Sequence, residues 1–210
     1  MLSCNNSTLA PNTDRLGYQF FPLSANLEQT YAVEEIAYRV NGTIDTLRYF
    51  IIDRILDSTL VDGRIILQGY RIERLSDNSE RILSTLEIER DPYTLLQNLG
   101  NEAELKLSFP VDEDLAWNGR PKNETPDFYN YTNVFQAYET DDTIFNQTIE
   151  VIQEDNQDSI QTFDKRVEVY AANIGMVYSL SSFLDFCNQT ECLGLQEIDS
   201  GKTITMRRIF

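Results

Sequence analysis

The chain of 210 residues contains no histidine. That removes the commonest general base, the commonest metal ligand and the side chain that titrates near neutrality. His-based triads and histidine-dependent zinc hydrolases are excluded with it. No run of eighteen apolar residues occurs, so no stretch is long and apolar enough to cross a bilayer as a helix. Positive charge is scarce: 17 Lys and Arg stand against 34 Asp and Glu, a formal net charge of −17. The bases are scattered, as at Arg71, Arg74, Arg81 and Arg90, each close to acids. A nucleic-acid groove needs a basic stripe, and an anionic membrane needs a basic patch. Neither is present, so no nucleic-acid partner is expected. The acidity reads as solubility outside the cytoplasm. Tryptophan occurs once and cysteine three times. Three thiols cannot build a four-thiolate metal site. Ser108, Ser181 and Ser182 lack a Gly-x-Ser-x-Gly context, and no phosphate-cradling glycine loop appears. No cofactor or metal is expected.

What is present is enough for a packed core: 41% hydrophobic and 11% aromatic residues. The length allows one large or two small domains, and no linker or repeat divides it. Residues 1–17, rich in Asn, Ser, Thr and Pro, read as a tether; residues 18–210 read as a single β domain. From Gln29 the pattern has period two, with Tyr31, Val33, Ile36, Tyr38 and Val40 marking a strand. Asn41-Gly42 and Asp62-Gly63 are tight hairpin turns. Between and after them lie the runs 43–60, 65–75 and 82–90, successive partners in a meander. Tyr93 to Leu99 reads as a helical turn or loop. Ala103 to Phe109 alternates again, and 111–127 is acidic and irregular. Further strands are expected at 128–138, 143–153, 163–170, 174–186 and 202–210. The fold class is mainly β: a single curved antiparallel meander sheet or an open barrel of about nine or ten strands, with few or no helices. Its concave face is expected to be apolar and open to a ligand. Gly175, in Asn173-Ile174-Gly175, marks a bulge or close packing.

Leu2-Ser3-Cys4, followed by Asn5-Asn6-Ser7-Thr8, resembles the end of a bacterial lipobox and the polar linker after it. The likeness implies lipidation at Cys4, a membrane partner through that anchor, and an apolar signal segment where Met1 now stands. More than one acyl chain gives stable attachment. Cys187 and Cys192, with four residues between them, suit a disulfide-closed loop in an oxidising compartment. Such a short loop pins a turn rather than a fold.

Several segments occur in one order: Tyr18-Gln19-Phe20-Phe21-Pro22-Leu23, Tyr70-Arg71-Ile72-Glu73-Arg74, Leu107-Ser108-Phe109-Pro110-Val111, Trp117-Asn118-Gly119 and Tyr170-Ala171-Ala172-Asn173-Ile174-Gly175-Met176-Val177-Tyr178. Over most of residues 18–180 the chain thus resembles a group of Bacteroidetes outer-membrane lipoproteins. The resemblance implies an envelope-anchored β protein and carries no activity. By the same likeness, Asn5 after the cysteine implies the outer membrane. The absence of an acid in Asn5-Asn6-Ser7-Thr8 implies its periplasmic face, with the cell surface as the alternative.

Trp117 and Asn118 lie among acids in the irregular central stretch. They read as a binding loop for a sugar or a partner, or as an indole folded back to cap a sheet end above the Asn118-Gly119 turn. The second reading is preferred. Asp112-x-Asp114 and Asp141-Asp142 offer oxygen ligands, but a calcium loop needs further acids and a glycine at fixed spacing. Seven Asn-x-Ser/Thr sequons, including Asn41, Asn123, Asn130, Asn146 and Asn188, are expected by chance in a chain rich in Asn and Thr. The function expected is a non-enzymatic envelope lipoprotein that binds an apolar ligand or a partner protein. The alternatives are an assembly component of an outer-membrane complex and a carboxylate-dependent glycan hydrolase.

Overall fold

β-Branched and aromatic residues fill the alternating runs and pair as strands. The computed structural model describes residues 16–75, 77–140, 142–158 and 160–210. Its strands are β1 (Glu28–Tyr38), β2 (Ile44–Val61), β3 (Arg64–Arg74), β4 (Glu80–Arg90), β5 (Thr94–Leu99), β6 (Glu102–Ser108), β7 (Ala116–Asn118), β8 (Phe128–Glu139), β9 (Ile144–Asp158), β10 (Thr162–Ala171), β11 (Gly175–Phe186) and β12 (Ile198–Ile209). A 3-10 turn, Tyr18–Phe20, precedes them. The expected turns form: Asp62 (φ 49°) and Gly63 (φ 80°) are both left-handed, as the two-residue β2–β3 hairpin requires.

The twelve strands make one sheet in the order β6-β5-β4-β3-β2-β1-β12-β11-β10-β9-β8-β7. Successive strands pair antiparallel everywhere except between β6 and β7. The N- and C-terminal strands join in mid-sheet, β1 to β12, over nine residue pairs from Thr30↔Ile209 to Tyr38↔Gly201. This leaves β6 and β7 as the two edges. The sheet twists and curls until they meet. The Leu105 amide donates to the Gly119 carbonyl, just past β7, at 2.7 Å. The sheet is therefore a nearly closed barrel.

Twelve strands replace the expected nine or ten. Residues 94–99, read as a helical turn or loop, are β5; a register shift between Leu95 and Leu96 breaks the alternation that would have revealed it. β7 is three residues long, too short to show a period.

Residues 1–15, with Cys4, Asn5 and Asn6, lie outside the described residues. Leu16 and Gly17, assigned to the tether by sequence, belong to the packed body. The Leu16 carbonyl accepts from the Val111 amide at 3.2 Å. From there the chain crosses one end of the barrel as a plug. Tyr18 donates to the Pro92 carbonyl at 2.8 Å and meets the Phe109 ring edge-on at 4.8 Å. The Gln19 carbonyl accepts from Asn173 at 2.7 Å. Phe20 is wholly buried, and Phe21 lies 6.3 Å from the Tyr170 ring. The register places the β2–β3 and β4–β5 turns, the β6–β7 connection, the β8–β9 and β10–β11 turns and the end of β12 at this floor end. The opposite end carries the remaining turns.

Candidate functional site

Above the plug the barrel encloses a cavity of about 260 Å³. Phe21, Leu27, Ile55, Leu67, Ile88 and Met176 contribute its apolar lower part. Asn101, Glu102, Arg120, Lys122 and Asn123, all exposed, mark its mouth at the β5–β6 turn and the β7–β8 loop. The concave face was expected to be apolar. Instead the wall between floor and mouth carries the ionised side chains of Asp53, Arg71, Glu104, Lys106 and Glu168; twelve strands make a lumen wider than inward side chains can fill.

Two charge clusters form that wall. On the β2–β3 side, Arg71 makes a two-pronged pair with Asp53, Nε to Oδ1 and Nη2 to Oδ2, both 2.7 Å. Burial alone would lower the Arg71 pKa, but Asp53 outweighs it and the net shift is upward. On the β6–β10 side, the buried Lys106 ammonium bonds Glu104 at 3.1 Å and Glu168 more closely still. Again burial works against the charge, and the two carboxylates overcome it, raising the Lys106 pKa. Glu104 is pulled up by burial and more strongly down by Lys106 and Tyr129, so its carboxyl sits below the usual range. Glu104 Oε1 also accepts from the Tyr129 hydroxyl at 2.7 Å and the Gln153 amide at 3.1 Å. Tyr170 donates to Glu168 at 2.5 Å; burial first, then Glu168, pushes its pKa well up. At the floor, Tyr31 donates to Gln29 at 3.0 Å, and Gln29 donates to the Ile174 carbonyl at 3.2 Å. Gly175 (φ 94°) is what admits the Gln29 amide: a Cβ there would lie 2.9 Å from its Nε2.

These buried ionic groups were not singled out by sequence reasoning. A signal existed. Asp53 interrupts the run Ile51-Ile52-Asp53-Arg54-Ile55, and Glu168 stands between Val167 and Val169, whereas Lys106, in the alternating Glu104-Leu105-Lys106-Leu107, carries no such signal. A lone charge inside an apolar run is a candidate for a buried pair.

Trp117 and Asn118 do not line the cavity. Trp117 is buried where the barrel edges meet, its indole N–H donating to the Leu105 carbonyl at 2.8 Å. Its ring lies 4.6 Å from that of Tyr131, tilted by 43°, and meets Tyr129 edge-on at 6.1 Å. Asn118 Oδ1 accepts from the amides of Arg120 (3.1 Å) and Asp127 (3.0 Å), pinning the base of the β7–β8 loop. Gly119 lies flat on Tyr129: a Cβ would fall 2.2 Å from that ring. Cys187 and Cys192 are disulfide-bonded, with Cα atoms 5.8 Å apart, in the β11–β12 loop at the mouth end. The Asp112 carboxylate accepts from the Asp114 amide at 2.9 Å, a local turn. Asp141 lies outside the described residues. Among the described residues no group of three or more Cys, Asp or Glu is placed to hold a metal ion.

No family model matches the chain. No curated protein matches it. Two solved structures do. One is a candidate exported protein with a YmcC-like fold from Bacteroides fragilis NCTC 9343: 10% identical, TM-score 0.43, covering 91% of this chain and 99% of that one. The other is a candidate lipoprotein from Parabacteroides distasonis ATCC 8503: 10% identical, TM-score 0.31, covering 90% of this chain and 98% of that one.

Proposed function

We propose that this chain is a lipid-anchored, non-enzymatic envelope protein whose barrel lumen holds a small amphipathic ligand. Cys4 carries the anchor, at the periplasmic face of the outer membrane. The observation that supports the ligand is the cavity itself: about 260 Å³, apolar below, ringed by charges and open at one end. At roughly 30 Å³ per water, it has room for about nine small groups. An apolar end fits the floor of Phe21, Leu67 and Met176. Polar atoms fit the ring, where each carboxylate keeps lone pairs beyond those its partners use.

The same ring speaks against catalysis. A glycosidase needs one carboxyl with a raised pKa and a second group free to attack or to activate water. Here Glu104 and Glu168 share one ammonium, and the Glu104 pKa moves down, not up. Asp53 is held by both prongs of Arg71. No free base or nucleophile faces the lumen within this set.

Native mass spectrometry of the chain, purified without detergent, tests the reading. The expected result is a reproducible added mass of small-molecule size. Leu99→Trp, which places an indole in the cavity, should abolish it. A bare chain mass overturns the ligand proposal. A second reading, an assembly component, draws on Leu193 and Leu195, which are exposed beside the disulfide at the mouth end. It predicts a bare mass together with capture of an envelope protein that Leu195→Asp releases.

A further inference from the structure

The inner wall of the cavity carries more negative than positive charge. It holds three carboxylates, Asp53, Glu104 and Glu168, and two cations, Arg71 and Lys106. Both prongs of Arg71 are spent on Asp53, so that pair is neutral. Lys106 is shared between Glu104 and Glu168, so that trio keeps one negative charge. The charges at the mouth do not cancel it. Arg120 pairs with Asp127 at 3.3 Å, outside the lining. Lys122 is offset by Glu102, and both stand in water, which screens them. A charge left over inside the barrel costs more than one left over at its surface, because less water reaches it. Lys106 registers that field: its pKa rises although burial opposes its charge.

The neutral donors of the wall do not quench the excess. Tyr31 donates to Gln29 and Tyr170 to Glu168, so both hydroxyls are committed within the wall. The carboxylates keep spare capacity. Each offers about four lone-pair directions. Glu168 takes one bond from Lys106 and one from Tyr170. A ligand carboxylate would set a further like charge beside three acids. An alcohol would find acceptors but leave the charge uncompensated. An ammonium meets both needs: two carboxylates then hold two ammoniums, and the wall is neutral. Phe21, Tyr31 and Tyr170 line the same space, and aromatic rings attract cations.

We propose that the lumen selects a primary amine in its cationic form, with the ammonium held by Glu168 and Glu104 and the apolar body laid on the floor of Phe21, Leu67 and Met176. The inference rests on the lumen ligand of the reading above. It adds the sign of that ligand's charge and the carboxylates that read it.

Calorimetric titration of the whole chain with hexylamine, 1-hexanol and hexanoate at neutral pH tests it. The three probes share an apolar chain and differ in charge. Hexylamine should bind about tenfold more tightly than 1-hexanol, the difference between a charge-assisted and a neutral hydrogen bond, and hexanoate should bind most weakly. Leu99→Trp should abolish hexylamine binding. That variant keeps the acidic surface, so binding that survives it lies outside the lumen and overturns the proposal. Glu168→Gln removes the excess charge at nearly constant shape and should erase the preference for the amine; a preference that persists overturns the assignment to Glu168. The three-probe comparison in the unsubstituted chain needs neither variant to fold. Equal binding of all three overturns the charge preference and leaves the lumen ligand standing. Binding of none overturns it as well, and the native mass then decides whether the ligand reading falls with it.

Discussion

The barrel is closed twice, and the two closures differ in kind. At the joint, β1 meets β12 through a ladder of nine residue pairs. At the seam, β6 meets the β7 side through one backbone bond, Leu105 to Gly119. Side chains do the rest. Trp117 bonds the Leu105 carbonyl, Tyr131 accepts from the Ser108 amide at 2.9 Å and donates to the Ser108 carbonyl at 2.7 Å, Tyr129 bonds Glu104, and Lys106 reaches Glu168. A ladder is insensitive to which side chains it carries, because the backbone makes the bonds. A seam of side chains depends on the identity of each one. The joint should therefore fail only to backbone changes, and the seam to single atoms.

Val33→Pro should have the largest effect. Val33 pairs Met206 on one side and Tyr49 on the other, so proline removes a bond from a central strand and clashes with its neighbours. The chain is expected to lose its cooperative urea transition; survival of that transition would mean that the ladder does not hold the joint. Lys106→Ala comes next. It leaves the buried Glu168 and the half-buried Glu104 carboxylates without their shared counter-charge, at a cost of about 3–5 kcal/mol. A fall of that size in the unfolding free energy from urea titration would confirm the seam's dependence on one ammonium, whereas a change below about 1 kcal/mol would show the pair to be dispensable.

The same cluster sets a pH dependence. The Glu104 pKa is depressed on folding, so its stabilisation is present above its ordinary value of about 4.3 and is lost as pH falls through the depressed one. The Lys106 pKa is raised, so its share holds up to about 10.4 and is lost above. Urea midpoints across pH should fall at both ends. In Lys106→Ala the high-pH decline should shrink; an unchanged decline would assign it to another group. Trp117→Phe keeps a ring but deletes the bond to the Leu105 carbonyl, and should cost about 1–3 kcal/mol by the same measurement. Cys187→Ser lies outside both closures. By the chain-entropy account so short a loop contributes about 2 kcal/mol at most. A larger loss would mean that the β11–β12 loop supports the joint from above.

Much of the ladder side was legible. Tyr31, Val33, Leu86 and Ile88 alternate with small or polar residues and face the core as that pattern dictates. Asn41-Gly42 and Asp62-Gly63 mark hairpins by local conformation alone. The seam side was not legible. β5 is interrupted by a register shift, and β7 has three residues. In Ala103 to Phe109 an alternating strand by default turns its charges to water, yet Lys106 is buried. Its partner Glu168 is 62 residues away in sequence. No local pattern reports a contact at that distance.

The sequence by itself determined an all-antiparallel β chain, its main hairpins, its disulfide loop and the chemistry that a chain without histidine cannot perform. These follow from local rules: side-chain period, turn conformation and composition. Only the tertiary structure decided that the sheet closes, that β1 and β12 share a ladder, that Lys106 sits between two acids, and that the lumen opens away from the plug. Each of these is a meeting of residues far apart in the chain. Its free energy comes from burial and charge pairing that exist only once the sheet has curled.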